Sequence, residues 1–158
     1  MAKILITGMS GTGKSTALKH LRLRGHATVD TDTDQWSRWV ALPDGSTDWI
    51  WREQAITELL AGHREGHLFV AGCKTNQGEF YPLFDHVVLL SAPAPVLLAR
   101  IAARTDNPYG KCAEERDAVL EHLATVEPLL RATATARIDA TASVETVVEQ
   151  LEDLAARQ

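Results

Sequence analysis

The sequence predicts a three-layer α/β fold, one five-stranded parallel sheet between two layers of helices. Three observations predict it. Five short apolar, β-type runs alternate with helical patterns along 158 residues. The run His86-Val87-Val88-Leu89-Leu90-Ser91 is apolar throughout, as a strand covered on both faces must be. The first run passes through a glycine-rich turn directly into a helical segment. No repeat, low-complexity tract or linker divides the chain, so residues 1–158 read as one domain.

Lys3-Ile4-Leu5-Ile6-Thr7 is the first strand, and Thr16 to Leu21 carries helix formers with leucines at i and i+3. Between them lies Gly8-Met9-Ser10-Gly11-Thr12-Gly13-Lys14-Ser15, the G-x-x-x-x-G-K-S pattern of a phosphate-binding P-loop. Glycines let successive N–H groups turn inward, and the helix N-terminus, with Thr16 in its first turn, adds unpaired donors and a positive dipole end. Lys14 is expected to stand exposed in the empty loop and to reach the β- and γ-phosphates. The Ser15 hydroxyl suits Mg²⁺. Gly8, Ser10, Gly11, Thr12, Gly13, Lys14, Ser15 and Thr16 are therefore the candidate nucleotide-binding residues.

Arg24-Gly25-His26 reads as a helix stop, and Ala27-Thr28-Val29 as the second strand. It runs into Asp30-Thr31-Asp32-Thr33-Asp34, at the carboxyl-end edge where ligands bind in open α/β sheets. Thr33 or Asp34 is expected to cap a helix starting at Gln35-Trp36. Asp30 lies nearer the sheet and is assigned to Mg²⁺. Asp32 lies further out and is assigned to the acceptor and its proton. The 35–65 segment is expected to be a small helical, acceptor-binding insert holding all four tryptophans, Trp36, Trp39, Trp49 and Trp51. Pro43-Asp44-Gly45 is a turn, and Ser46 or Asp48 caps a helix from about Trp49 to Arg64. The tryptophans suit either a ligand wall or a subdomain core, with core favoured for most. Trp36 and Trp49 are kept as substrate candidates. Arg52 is harder to explain as core.

His67-Leu68-Phe69-Val70-Ala71 is the third strand, ending in the polar loop Gly72-Cys73-Lys74-Thr75-Asn76-Gln77-Gly78. No acidic residue closes this strand, so the usual Walker B role falls to Asp30 or Asp32. Gly72, Cys73, Lys74, Asn76 and Gln77 stand within reach of a bound substrate or form a solvated turn. After the fourth strand, Pro93 and Pro95 open a helix with Arg100 and Arg104 on one face. It leads into the turn-rich Thr105-Asp106-Asn107-Pro108-Tyr109-Gly110-Lys111, within a candidate lid spanning 104–113. Ala113 to Ala132 is helical, with Val119, Leu120, Leu123, Val126, Leu129 and Leu130 as its apolar stripe and a kink or break at Pro128. Ala136-Arg137-Ile138 is the fifth strand, with Asp139-Ala140-Thr141-Ala142 as its exit loop. Ser143 caps the last helix.

Sixteen Lys+Arg against 21 Asp+Glu leave a formal charge of −5, which disfavours nonspecific binding to nucleic acid or anionic membranes. Cys73 and Cys112 lack zinc-site spacing and read as thiols of a reducing cytoplasm. No signal peptide or spanning stretch is read, so the expected location is cytoplasmic.

With these residues in place, the chain resembles the nucleoside-monophosphate-kinase and shikimate-kinase group of P-loop phosphotransferases over nearly its whole length, by order and spacing more than identity. Asp30-Thr31-Asp32 resembles the shikimate-kinase Asp-Ser/Thr-Asp, Trp51-Arg52 its acceptor-binding Phe-Arg pair, and the Gly72 loop its glycines, with Cys73 replacing one. Arg100 and Arg104 resemble the Arg-x-x-x-Arg entering the lid of adenylate-kinase-like enzymes, the first by the adenine and the second on phosphate. Asp139 and Ala140 resemble the adenine-contacting exit loop. The resemblance implies strand order 2-3-1-4-5, and ATP with Mg²⁺. Where shikimate kinases place an acceptor-holding arginine two residues before a proline, this chain has Val126-Glu127-Pro128.

The expected activity is ATP-dependent transfer of a γ-phosphoryl group to a small-molecule hydroxyl other than that of shikimate, with Lys14, Asp32 and Arg104 catalytic and Asn107, Tyr109 and Lys111 in the lid. The chain is expected to work as a monomer or dimer. A nucleoside or nucleotide kinase ranks second. A nucleotide-dependent regulatory ATPase is the alternative of another class.

Overall fold

The computed structural model describes residues 1–105 and 107–157. Position 106, within the expected lid, lies outside the described residues. The central sheet contains β1 (Lys3–Thr7), β2 (Ala27–Asp30), β5 (Leu68–Ala71), β6 (His86–Ser91) and β7 (Ala136–Asp139). All pairings in it are parallel, in the order β2-β5-β1-β6-β7. Numbered among themselves, these strands run 2-3-1-4-5, as expected. The helices are α1 (Lys14–Leu23), α2 (Glu53–Gly62), α3 (Ala94–Ala103), α4 (Ala113–Thr125), α5 (Glu127–Thr133) and α6 (Val144–Ala156).

Alternation along the strands separates two cores. Ile4, Ile6, Phe69 and Val88 face a layer that includes Leu18 and Leu21 of α1 and Val148 and Leu151 of α6. Leu5, Val70 and Val87 face the other layer, where Ile56 and Leu60 of α2 pack with Trp51, Phe80 and Phe84. The helical run after residue 113 breaks at Val126, beside Pro128. Leu120 and Leu129, expected on its apolar stripe, instead face solvent. Ser143 Oγ accepts from Thr146 N at 3.2 Å and caps α6.

The insert corrects the sequence reading. No helix starts at Gln35-Trp36. The segment forms an antiparallel hairpin, β3 (Ser37–Ala41) and β4 (Thr47–Trp51), and α2 begins only at Glu53. Trp39 and Trp49 lie directly opposite in register and stack at 5.8 Å, a cross-strand pair that rewards a hairpin over a helix. The Pro43-Asp44-Gly45 turn closes it, with Gly45 at φ 88° and Asp44 Oδ1 accepting from Ser46 N. Neither Thr33 nor Asp34 caps a helix; Thr33 O accepts from Trp36 N and Ser37 N in a turn. Ser46 and Asp48 cap no helix either, since Asp48 Oδ2 accepts from Thr75 Oγ1 at 2.5 Å.

At the amino-terminal edge of the sheet, His67 Nδ1 accepts from Ala2 N, and Glu152 pairs with His26 and Arg24. Desolvation holds the His67 pKa below the ordinary histidine value, with the N-terminal ammonium and His26 adding repulsion. The folded state therefore resists a proton that the unfolded chain accepts. Stability from His67 is present at neutral pH and is lost as pH falls below about 6.5. The Glu152 carboxyl is held below its ordinary 4.5, first by the hydrogen bond from His26. Its contribution is present above that value and lost on further acidification. Urea midpoints should fall from pH 7.5 to 4, with His67→Gln flattening the upper part and Glu152→Gln the lower. Unchanged pH profiles in both variants would refute this account.

Candidate phosphate-transfer site

The first βα turn builds a cradle from backbone. Gly8 (φ 149°) and Gly11 (φ 87°) adopt conformations that favour glycine. A Cβ on Gly11 would stand 2.9 Å from Leu97 O, so the curl also needs the space. Thr12 Oγ1 donates to Met9 O at 2.9 Å and closes the turn. Lys14 is not exposed as the sequence reading expects. It is half-buried, its ammonium donating to Gly8 O at 2.6 Å and Met9 O at 3.1 Å. Desolvation lowers its pKa, partly offset by Cys73, Asp32 and Asp30, while Lys74 adds to the lowering.

Thr31 explains why both aspartates serve this edge. Its buried side chain donates to Ala71 O at 2.7 Å, turning inward between two outward neighbours. Asp30 Oδ2 accepts from Ser15 Oγ at 3.3 Å, and Asp30 Oδ1 accepts from Asp32 N at 3.0 Å. Ser15 and Asp30 thus bring oxygen ligands of the kind Mg²⁺ prefers beside the cradle. The Asp32 side chain is exposed and pairs with Lys74, whose ammonium lies 4.6 Å from the Trp49 ring centre.

A cavity of about 420 Å³ runs from the cradle, lined by Ser10 to Ala17 together with Asp32, Arg100, Arg104 and Asn107. Its far wall is apolar: Ala140, Ala142, Val144 and Val147. The cradle that a side chain would fill, the Ser15–Asp30 oxygens and this apolar end together fit a magnesium-bound nucleotide. Arg100 donates to Gly11 O at 3.4 Å and to Ala140 O at 2.5 Å, joining the two ends of the cavity. Arg104 donates to Ser10 Oγ at 3.4 Å, Asn107 O at 3.1 Å and Tyr109 O at 2.6 Å. Lys111 Nζ is spent on the carbonyls of Ala102 and Arg104.

The remaining candidates sit elsewhere. Asp139 is turned on its own loop, accepting from Thr141 N at 2.9 Å and Thr141 Oγ1 at 2.6 Å, which lowers its pKa. Asn76 grips β4: Oδ1 accepts from Trp51 N and Nδ2 donates to Trp51 O, both at 3.1 Å. Gln77 is buried, donating to Thr7 Oγ1 and Tyr81 OH at 3.1 Å. Gly72 is packed against Thr31 and Trp51. Cys73 is half-buried and free. Trp36 is half-buried against the α2 core and Trp51 fully buried within it, while Trp49 lies between Trp39 and Lys74. Arg52 is exposed, its Nε donating to Asp34 O at 2.8 Å. Of this apolar wall, Ala140 matches the expected exit loop, whereas Val144 and Val147 were missed because they carry the same periodicity as core. Only their place just after the exit loop distinguishes them.

The family model AAA_18, described as AAA domain, matches residues 4–121. No curated protein matches the chain. Among solved structures, a shikimate kinase from Acinetobacter baumannii in complex with shikimate is similar at TM-score 0.68 and 19% identity, covering 98% of this chain and 92% of its own. A gluconokinase from Sinorhizobium meliloti 1021 is similar at TM-score 0.59 and 17% identity, covering 99% and 92%. A deoxyadenosine kinase from M. mycoides with bound dATP is similar at TM-score 0.55 and 14% identity, covering 97% and 98%. At these identities the likeness is one of fold. Among the described residues no helix is long and apolar enough to cross a membrane.

Proposed function

We propose, from the premise that the chain belongs to the AAA_18 family of AAA domains, that it is a phosphotransferase acting on a hydroxyl of a small molecule. The observation that carries this reading is one cavity bringing Lys14, Ser15, Asp32, Arg100 and Arg104 together. Bound there, ATP with Mg²⁺ would supply the phosphoryl group and screen its charge. Lys14 and the cradle N–H groups hold phosphate oxygens. Ser15 and Asp30 hold the metal's side of the site. Asp32 orients the acceptor hydroxyl and takes its proton.

The acceptor is read as something other than shikimate, because Val126 stands where the resembled enzymes carry a carboxylate-binding arginine. Next to it, Glu127 is buried and paired with Arg131. The test is acceptor-stimulated ADP release across sugars, nucleosides, amino alcohols and antibiotics. Turnover that no acceptor stimulates would instead support a regulatory ATPase.

Arg100 and Arg104 should separate. Arg100 joins the P-loop to the exit loop, so Arg100→Ala should mainly weaken nucleotide binding. Arg104 lies at the phosphate end and in the lid segment, so Arg104→Ala should lower kcat more than it raises KM for ATP. Steady-state kinetics of the two variants check this, and the reverse pattern would exchange the roles.

A further inference from the structure

A second cavity, of about 720 Å³, opens at the carboxyl ends of β6 and β7, beside the start of α3. Among the described residues it shares none with the phosphate cavity. Glu127, the first residue of α5, lines it and is only 5% exposed. One carboxylate oxygen, Oε1, accepts from Arg131 one turn on. The other, Oε2, is buried without a hydrogen-bond partner among the described residues. The amides that follow in α5 are committed or missing: Pro128 has no N–H, and Leu129 N and Leu130 N donate to Val126 O at 3.0 Å and 3.2 Å. A buried carboxylate oxygen gives up its hydration and regains nothing until a donor arrives from outside. Arg137, exposed on β7, lines the same cavity, and its guanidinium has no hydrogen bond or ion pair among the described residues. Asp139, the other carboxylate on this wall, is turned to Thr141 instead.

We infer that this cavity binds a zwitterionic amino acid, its ammonium on Glu127 and its carboxylate on Arg137. Because Oε2 is buried, the ammonium reaches Glu127 by exchange rather than by simple contact. Arg131 is the partner that yields, since about half of its side chain is already exposed. Displaced from Glu127, its guanidinium turns to the incoming carboxylate and joins Arg137. Both ends of the ligand then sit in charge-assisted hydrogen bonds, and no charge is left buried alone. Leu123, Pro128 and Ile138 add apolar wall that suits the ligand's carbon chain. A ligand with a single charge fits less well. A lone amine leaves two guanidiniums without an anion, and a lone carboxylate leaves Glu127 Oε2 unserved. A metal ion is a poor occupant, because the described residues contain no group of three His, Cys, Asp or Glu side chains able to hold one. The site stands apart from the function proposed above and does not depend on it.

The test is isothermal calorimetry on the full chain, with glycine, 4-aminobutyrate and 6-aminohexanoate as probes. At least one of them should bind, and the preferred length measures the gap between Glu127 and Arg137. Butylamine and butyrate, each carrying one of the two charges, should bind roughly tenfold or more weakly than the best zwitterion. Arg137→Gln and Glu127→Gln should each weaken that zwitterion by a similar factor. Arg137 is exposed, so its variant keeps the test decisive even where Glu127→Gln fails to fold, and melting curves report which variants fold. Lys14→Ala should bind the zwitterion as the wild type does, because Lys14 lines the other cavity. No binding by any probe would overturn the inference. So would a single-charge probe that matches the zwitterion, an Arg137→Gln variant that binds like the wild type, or binding that is lost in Lys14→Ala. Failure of the proposed function has a different sign, the absence of acceptor-stimulated ADP release.

Discussion

Lys14→Ala should remove most acceptor-dependent ADP release, by about 10²- to 10³-fold or more, with little change in thermal stability. The ammonium is held by Gly8 O and Met9 O and is half-buried at the mouth of the cradle. Two carbonyls on one ammonium are a waiting arrangement. Phosphate oxygens carry more charge than carbonyls and attract the same donor more strongly. The interaction grows as charge develops on the transferring group, so the loss falls on kcat more than on binding. The fold is expected to tolerate the change, because Thr12 and the helix N-terminus still shape the turn. Kinetics and a melting curve on the same preparation check both halves. Turnover at the wild-type rate would refute the P-loop reading.

Asp32→Asn should lower kcat by about 10²-fold without weakening ATP binding. A hydroxyl must lose its proton in becoming a phosphate ester, and Asp32 is the carboxylate that lines the cavity, two residues beyond the Asp30 that bonds Ser15. Asparagine keeps the size and the oxygen that faces Lys74, but it takes no proton. Asp32 caps no helix that the substitution could disturb, because a turn and a hairpin follow it. Because phosphoryl transfer passes through a loose transition state, part of the loss reflects acceptor orientation rather than proton removal. Full activity in Asp32→Asn would leave Asp34 as the next residue to examine.

The sheet was legible because each strand is short, apolar and bounded by turn residues, and because the P-loop glycines announce the crossover. The cradle, Asp30 and Asp32 were legible for the same reason: they are set by local backbone geometry next to a strand end. The hairpin was not. Its decisive interaction, Trp39 against Trp49, joins residues across a turn, and four tryptophans in a short segment fit a helical core equally well by composition. Asn76 and Gln77 looked available because they lie in a polar loop. Only the three-dimensional placement of Trp51 and Thr7 reveals that their amides are committed. Lys74 was legible as a residue of the right loop, but its pairing with Asp32 depends on β2 and β5 being neighbours.

The grip of Asn76 on Trp51 makes the hairpin a graft. One side-chain amide supplies both bonds that a neighbouring strand residue would exchange with Trp51, and Thr75 with Asp48 adds a second attachment. The tip keeps its bonds to itself, Leu42 N to Ser46 O and Gly45 N to Leu42 O. Residues between the Trp39–Trp49 pair and the tip are therefore interchangeable cargo on a fixed mount. Recombining the 40–47 segment among chains of this fold should diversify the hairpin while the phosphate cradle, which takes no hydrogen bond from it among the described residues, is inherited unchanged.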